Sequence, residues 1–206
     1  MTFPDQKFPD MASYGDAYFE QLKIAAASVD RAALSQAADR LEVAYAKGAT
    51  LYVCGNGGSA AISNHLICDH LKLIRTDTDL VPRVVSLSTN IETITAIAND
   101  ISYDDVFVYQ LESLGRKGDV LMTISSSGDS ENVVRAATWA KENGLGMIAL
   151  TGFTGGRTAT IADINVHVQS DNYGVIEDVH QSVMHMLAQY VRQKQMDEPL
   201  IQQRKF

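Results

Sequence analysis

The sequence predicts an α/β domain, a parallel sheet with helices on both faces, preceded by a long helical segment. Three observations lead there. Short apolar runs at 51–54, 83–87, 119–124, 146–151 and 163–168 alternate with stretches of helical spacing, the order expected of successive βα units. The first run, Leu51-Tyr52-Val53-Cys54, is apolar throughout, as in a strand buried on both faces. Polar turns, Gly55-Asn56-Gly57-Gly58-Ser59 and Ser125-Ser126-Ser127-Gly128-Asp129-Ser130, follow the first and third runs. Both lie at strand carboxyl ends, where sheets of this class bind ligands.

A length of 206 residues suits one domain, and 46% hydrophobic with 20% charged residues is ordinary for a soluble globular chain. We divide it into a flexible arm at 1–13, which carries Pro4 and Pro9, a single domain at 14–195 and a polar tail at 196–206. Residues 14–47 have helical spacing through Tyr18, Leu22, Ala25, Val29, Leu34, Ala37 and Leu41, and Asp30 is placed to cap a second helix within them. The helix after the glycine turn carries His65 and Asp69. Asn90 caps a helix over 91–98, ended by Asn99-Asp100, and 103–114 reads as another. The serine turn opens onto a helix over 131–142 that stops at Asn143-Gly144. A short helical turn over 158–162 precedes the last strand, and a final helix over 175–194 carries Glu177, His180 and His185.

The balance of charge narrows the function. Seventeen basic against twenty-five acidic side chains give a net charge of −8, which argues against nucleic acid as the main partner. No signal-peptide pattern or apolar run of membrane-spanning length is present, and the two cysteines, Cys54 and Cys68, make no disulfide framework. A reduced, cytoplasmic setting is expected.

The two polar turns are each suited to an anion. Glycines let the backbone approach a ligand closely, and a helix start offers unpaired N–H groups and partial positive charge. Serine hydroxyls add donors to phosphate oxygens. Neither turn is a Walker loop, since its lysine is missing, nor a GxGxxG fingerprint, since Ala60 stands at the third glycine. His65 and Asp69 lie four apart on one helix, and Glu177 and His185 lie on the last. Imidazoles with carboxylates move protons or hold a divalent metal. His70, His167 and His180 read as structural, and Cys68, Trp139 and the methionines as packing.

CGNGGSAA (54–61), TAIAND (95–100), ISSSGDS (124–130) and the IEDVH segment with its later histidine resemble the sugar isomerase (SIS) domain family, and within it the phosphoheptose isomerases. The resemblance covers nearly the whole chain. It implies a doubly wound five-stranded parallel sheet and a homotetramer with shared active sites. The implied reaction converts sedoheptulose 7-phosphate to D-glycero-D-manno-heptose 7-phosphate through an enediol, for surface-polysaccharide heptose. Phosphate contacts fall on Ser125, Ser126, Ser127 and Ser130, with Asn56, Gly57, Gly58 and Ser59 contributed by the glycine turn. Asn99 and Asp100 fall at a sugar-contacting position. The zinc and proton-transfer set falls on His65, Asp69, Glu177 and His185, with Asp69, helped by Glu177, as base and His185 as acid. The chain departs from the family at Asp69 (glutamate expected), Glu177 (glutamine expected) and Gly174 (aspartate expected). Two other readings stay open: a non-catalytic sugar-phosphate binder, as in a replication-initiation factor of the same family, and an isomerase of another phosphosugar.

Overall fold

Alternation along the strands creates two apolar faces. Leu51 and Val53 point to one side of the sheet and Tyr52 and Cys54 to the other, all four buried. In the computed structural model, which describes residues 3–206, strands β1 (Thr50–Cys54), β2 (Arg83–Ser86), β3 (Val120–Ser125), β4 (Gly146–Thr151) and β5 (Ile164–His167) form one parallel sheet in the order β2-β1-β3-β4-β5. Leu51 pairs with Val84 on one side and Val120 on the other. The order reverses between β1 and β3, so the turns leaving these neighbouring strands flank the switch point.

The face carrying Leu51, Met122, Ile148 and Val166 packs on α2 (Arg31–Ala46), α3 (Gly58–Cys68) and α8 (Tyr173–Gln195). The opposite face, with Tyr52, Leu121 and Met147, packs on α4 (Ile91–Asp100), α5 (Val108–Leu114) and α6 (Glu131–Glu142). The doubly wound five-stranded arrangement is therefore as expected. A short α7 (Gly156–Ile161) joins β4 to β5, and α9 (Glu198–Ile201) follows α8. Asp30 caps α2 by accepting from the Ala32 N–H at 2.8 Å, which splits the N-terminal segment into α1 (Met11–Ser28) and α2 as its sequence indicates.

Three expectations are corrected, and the polar tail is found packed on the domain. Residues 3–13 are not a loose arm: α1 begins at Met11, Phe3 is buried with its ring 5.5 Å from that of Tyr14, and Asn172 Nδ2 donates to the Phe3 carbonyl. Two aromatic residues, Phe3 and Phe8, supply the apolar area that ordering requires. The tail at 196–206 also folds back. Met196 is buried, and Arg192, itself buried, donates to the Lys205 carbonyl and lies 4.8 Å from the Phe206 ring. The 103–114 helix is broken into a 3₁₀ turn at Tyr103–Asp105 and α5. Cys68 is exposed rather than core.

A further departure shapes the site. The α-helical ladder of α3 stops at Cys68, and Asp69–Leu73 form a π-helical turn closed by the Ile74 N–H on the Asp69 carbonyl at 3.1 Å. Such turns are frequent at functional sites. Here it buries His70 completely against the Tyr45 hydroxyl while Asp69 stays half-buried.

Candidate active site

The two polar turns line one cavity. Asn56 and Ser59 from the first, Ser125, Ser126, Ser127 and Ser130 from the second, and Tyr173 and Glu177 from α8 enclose about 140 Å³. That is smaller than a whole small-ligand site, which is typically about 300–1,000 Å³, and is of head-group size. Backbone conformation builds it. Gly57 has φ 55° and ψ −123°, a combination that an L side chain cannot adopt without strain, and it aims the start of α3 at the cavity. Asn56 ties the turns together. Its Nδ2 donates to Asn132 Oδ1 at 2.8 Å, Asn132 Nδ2 returns a bond to Asn56 Oδ1 at 3.1 Å, and the Tyr103 hydroxyl donates to the same oxygen at 3.0 Å.

The hydroxyls of the serine turn divide by role. Ser125 Oγ accepts from the Gly128 N–H at 3.1 Å, and Ser127 Oγ accepts from the Asp129 N–H at 3.3 Å. Ser130 occupies the N-cap of α6 without spending its side chain there. Ser126 Oγ is buried and has no protein partner. A buried hydroxyl left unpaired is uncommon, and this one belongs to a residue that lines the cavity.

Further along α3 and α8 lies a second group. Asp69 Oδ2 meets His185 Nδ1 at 2.6 Å, and Asp69 Oδ1 lies 3.7 Å from His65 Nε2. The two imidazoles are edge to face with centroids 4.9 Å apart. Each of the three residues offers a ligand atom within 4.8 Å of the others. Gln181 Nε2 bridges the rings, 3.1 Å from His65 Nδ1 and 2.9 Å from His185 Nε2. Helix α3 passes from Ser59 in the pocket to His65 in the cluster, six residues or about 9 Å at 1.5 Å per residue.

A family profile described as "SIS domain" matches residues 16–152. This chain belongs to the SIS domain family. Among curated relatives, the phosphoheptose isomerase of Nitratidesulfovibrio vulgaris is 41% identical over 150 residues, 73% of this chain and 72% of that one. The phosphoheptose isomerase of Alteromonas mediterranea is 37% identical over 83% of this chain and 87% of its own. Among solved structures, a phosphoheptose isomerase from Francisella tularensis superposes with a TM-score of 0.82 at 32% identity, over 89% of this chain and 99% of that one.

Within this SIS domain, not every residue singled out from sequence converges. Glu177 is absent from the imidazole cluster. Its carboxylate lies against the Cα of Gly58, where any side chain on Gly58 would collide with it, and it lines the serine cavity. Burial, with the Asp178 charge added, raises its pKa above the usual glutamate range. Asn99 and Asp100 bond each other at the exposed end of α4 and are not among the residues lining the cavity. Gln181 was not singled out at all; its spacing, one turn from both Glu177 and His185, is the only trace it leaves in the sequence. The remaining histidines are structural. His180 Nε2 bonds the Thr151 carbonyl at 3.2 Å and His167 Nδ1 bonds Thr151 Oγ1 at 3.0 Å.

Proposed function

We propose that this SIS domain is a sugar-phosphate isomerase that interconverts sedoheptulose 7-phosphate and D-glycero-D-manno-heptose 7-phosphate. One observation carries the reading: an anion pocket at the start of α3 and an Asp69–His185 pair at the π turn that continues it are held on one helical run, ten residues or about 15 Å from Ser59 to Asp69. The names of its relatives at 37–41% identity support the substrate.

In this reading the phosphate lies among the hydroxyls of Ser125, Ser126, Ser127 and Ser130 and the backbone of the glycine turn. No lysine or arginine lines the cavity, so helix termini and hydroxyls supply the attraction. The open chain then runs toward Asp69. Asp69 removes the proton from the carbon beside the carbonyl, the carbonyl oxygen is protonated, and an enediol results. Return of the proton to the neighbouring carbon gives the aldose. His185, bonded to Asp69, moves the oxygen proton. Glu177, placed in the anion pocket, is not assigned the helper-base role.

The donor set of two imidazoles and a carboxylate suits zinc, and His65, Asp69 and His185 would hold it. When bound, zinc supplies Lewis-acid polarisation of the carbonyl. Exposed apolar side chains on α1 and α8, among them Phe19, Ile24, Met186 and Tyr190, support a homotetramer with shared sites. No helix among the described residues is long and apolar enough to cross a membrane. We assign the protein a cytoplasmic role in making surface-polysaccharide heptose.

The test is incubation with sedoheptulose 7-phosphate in D2O, with and without added zinc. Deuterium entering the carbon next to the carbonyl is expected. Its absence under both conditions removes the isomerase reading, and exchange confined to a hexose or pentose phosphate reassigns the substrate.

A further inference from the structure

Gln181 contacts both histidines of the cluster and nothing in the proposed reaction employs it. Its amide nitrogen carries two hydrogens and no available lone pair. With the amide in this orientation, 3.1 Å from His65 Nδ1 and 2.9 Å from His185 Nε2, the nitrogen can only donate, and both of those ring nitrogens are then acceptors without a proton. Each neutral ring must then carry its proton on the other nitrogen. For His185 that is Nδ1, which donates to Asp69 Oδ2 at 2.6 Å; for His65 it is Nε2, on the side facing Asp69 Oδ1 at 3.7 Å.

The amide therefore fixes what the cluster can do. With the NH2 group inward, the nitrogens facing Asp69 are protonated, which serves proton transfer and blocks a cation. A rotation of the carboxamide by half a turn puts Oε1 inward. Oε1 accepts N–H from His65 Nδ1 and His185 Nε2, and the nitrogens facing Asp69 become lone-pair donors. Metal-bound histidines usually donate their second N–H to such an acceptor. We infer that Gln181 is a positioning residue whose amide orientation sets the tautomers of His65 and His185, and thereby switches the His65–Asp69–His185 cluster between a proton-transferring and a zinc-holding state.

This inference rests on the reading of the cluster as reactive, but its test does not need turnover. Zinc is titrated calorimetrically into the wild-type protein and into Q181L and Q181E, and imidazole tautomers are read by ¹⁵N NMR. Without zinc, the wild-type His185 is expected as the Nδ1–H tautomer, moving to Nε2–H on saturation. Q181L, which can support neither orientation, should bind zinc about 10- to 100-fold more weakly. Q181E, an acceptor only, should bind it about tenfold more tightly and show the Nε2–H tautomer of His185 before zinc is added. Equal zinc affinity in all three proteins, no zinc binding by the wild type, or a His185 tautomer indifferent to residue 181 overturns the inference. None of those results bears on deuterium exchange into the sugar, so the isomerase reading fails or stands separately.

Discussion

The anion pocket and the imidazole cluster share α3 and α8, yet they are made of different material. The pocket is mostly short side chains and backbone at strand ends, held by one glycine in a conformation other residues cannot take without strain and by an Asn56–Asn132 pair. The cluster is two imidazoles and a carboxylate from the last turn of α3, its π turn and the middle of α8, whose meeting depends on how α3 and that turn are set against α8. Local chain conformation thus determines the first, and the register between two distant helices determines the second. The two should fail independently, and this can be checked.

The sharpest division comes from Asp69→Asn, which keeps the volume of the side chain and removes its basicity. Turnover is expected to fall by about 10²- to 10⁴-fold, the usual worth of a positioned general base. Affinity for sugar phosphate, measured by calorimetry, should stay within about threefold of wild type, because Asp69 lines none of the pocket. Parallel loss of binding and turnover would break the division.

A second contrast lies within α8 itself. His180 and His185 are five residues apart, one buried beneath the helix and one beside Asp69. Burial pushes the His180 pKa down from 6.5 to about 4. A depressed histidine is neutral in the folded protein but takes up a proton in the unfolded chain, so its contribution is complete above pH 6.5 and is lost as pH falls toward 4. The difference is worth about 3 kcal/mol. His70, buried against Tyr45 and also pushed down to about 4, acts in the same direction. Urea midpoints between pH 4 and 7 should therefore fall steeply in the wild type and about half as steeply in His180→Leu. An unchanged slope would deny His180 its buried, neutral role.

The same division explains what could be read beforehand. Helix α6 and strand β4 have the limits their residues announce, since Ser130 and Asn143-Gly144 punctuate one and Gly146 opens the other. The serine and glycine turns likewise announce a shared pocket, because strand ends in a parallel sheet converge by topology. Gln181 and Glu177 were not legible in this way. Which of two glutamine-like side chains one turn apart reaches the histidines depends on the rotation of α8 against α3, and the π turn that starts at Asp69 carries no sequence mark. Asn99 and Asp100 fall away from the cavity for a related reason: α4 continues to Asp100, and the pair closes on itself at the helix end. Packing also overrode composition at the arm, where Phe3 is buried despite the adjacent Pro4.

The smallest expected effect separates two adjacent serines within the pocket. Ser125 Oγ already holds the Gly128 N–H, whereas Ser126 Oγ is buried with no partner. Ser125→Ala removes a bond that shapes the turn and should cost about 1 kcal/mol of stability. Ser126→Ala removes a hydroxyl that the folded protein leaves unsatisfied, so stability should hold or rise by up to about 1 kcal/mol. Its effect belongs to the ligand: KM for the sugar phosphate should increase about tenfold with kcat little changed, the signature of binding lost equally from ground and transition states. Thermal melts and initial rates on the two variants, side by side, read this difference directly. If Ser126→Ala melts lower and keeps its KM, the unpaired hydroxyl is part of the scaffold, and the pocket's attraction for an anion must come from its other hydroxyls and the backbone.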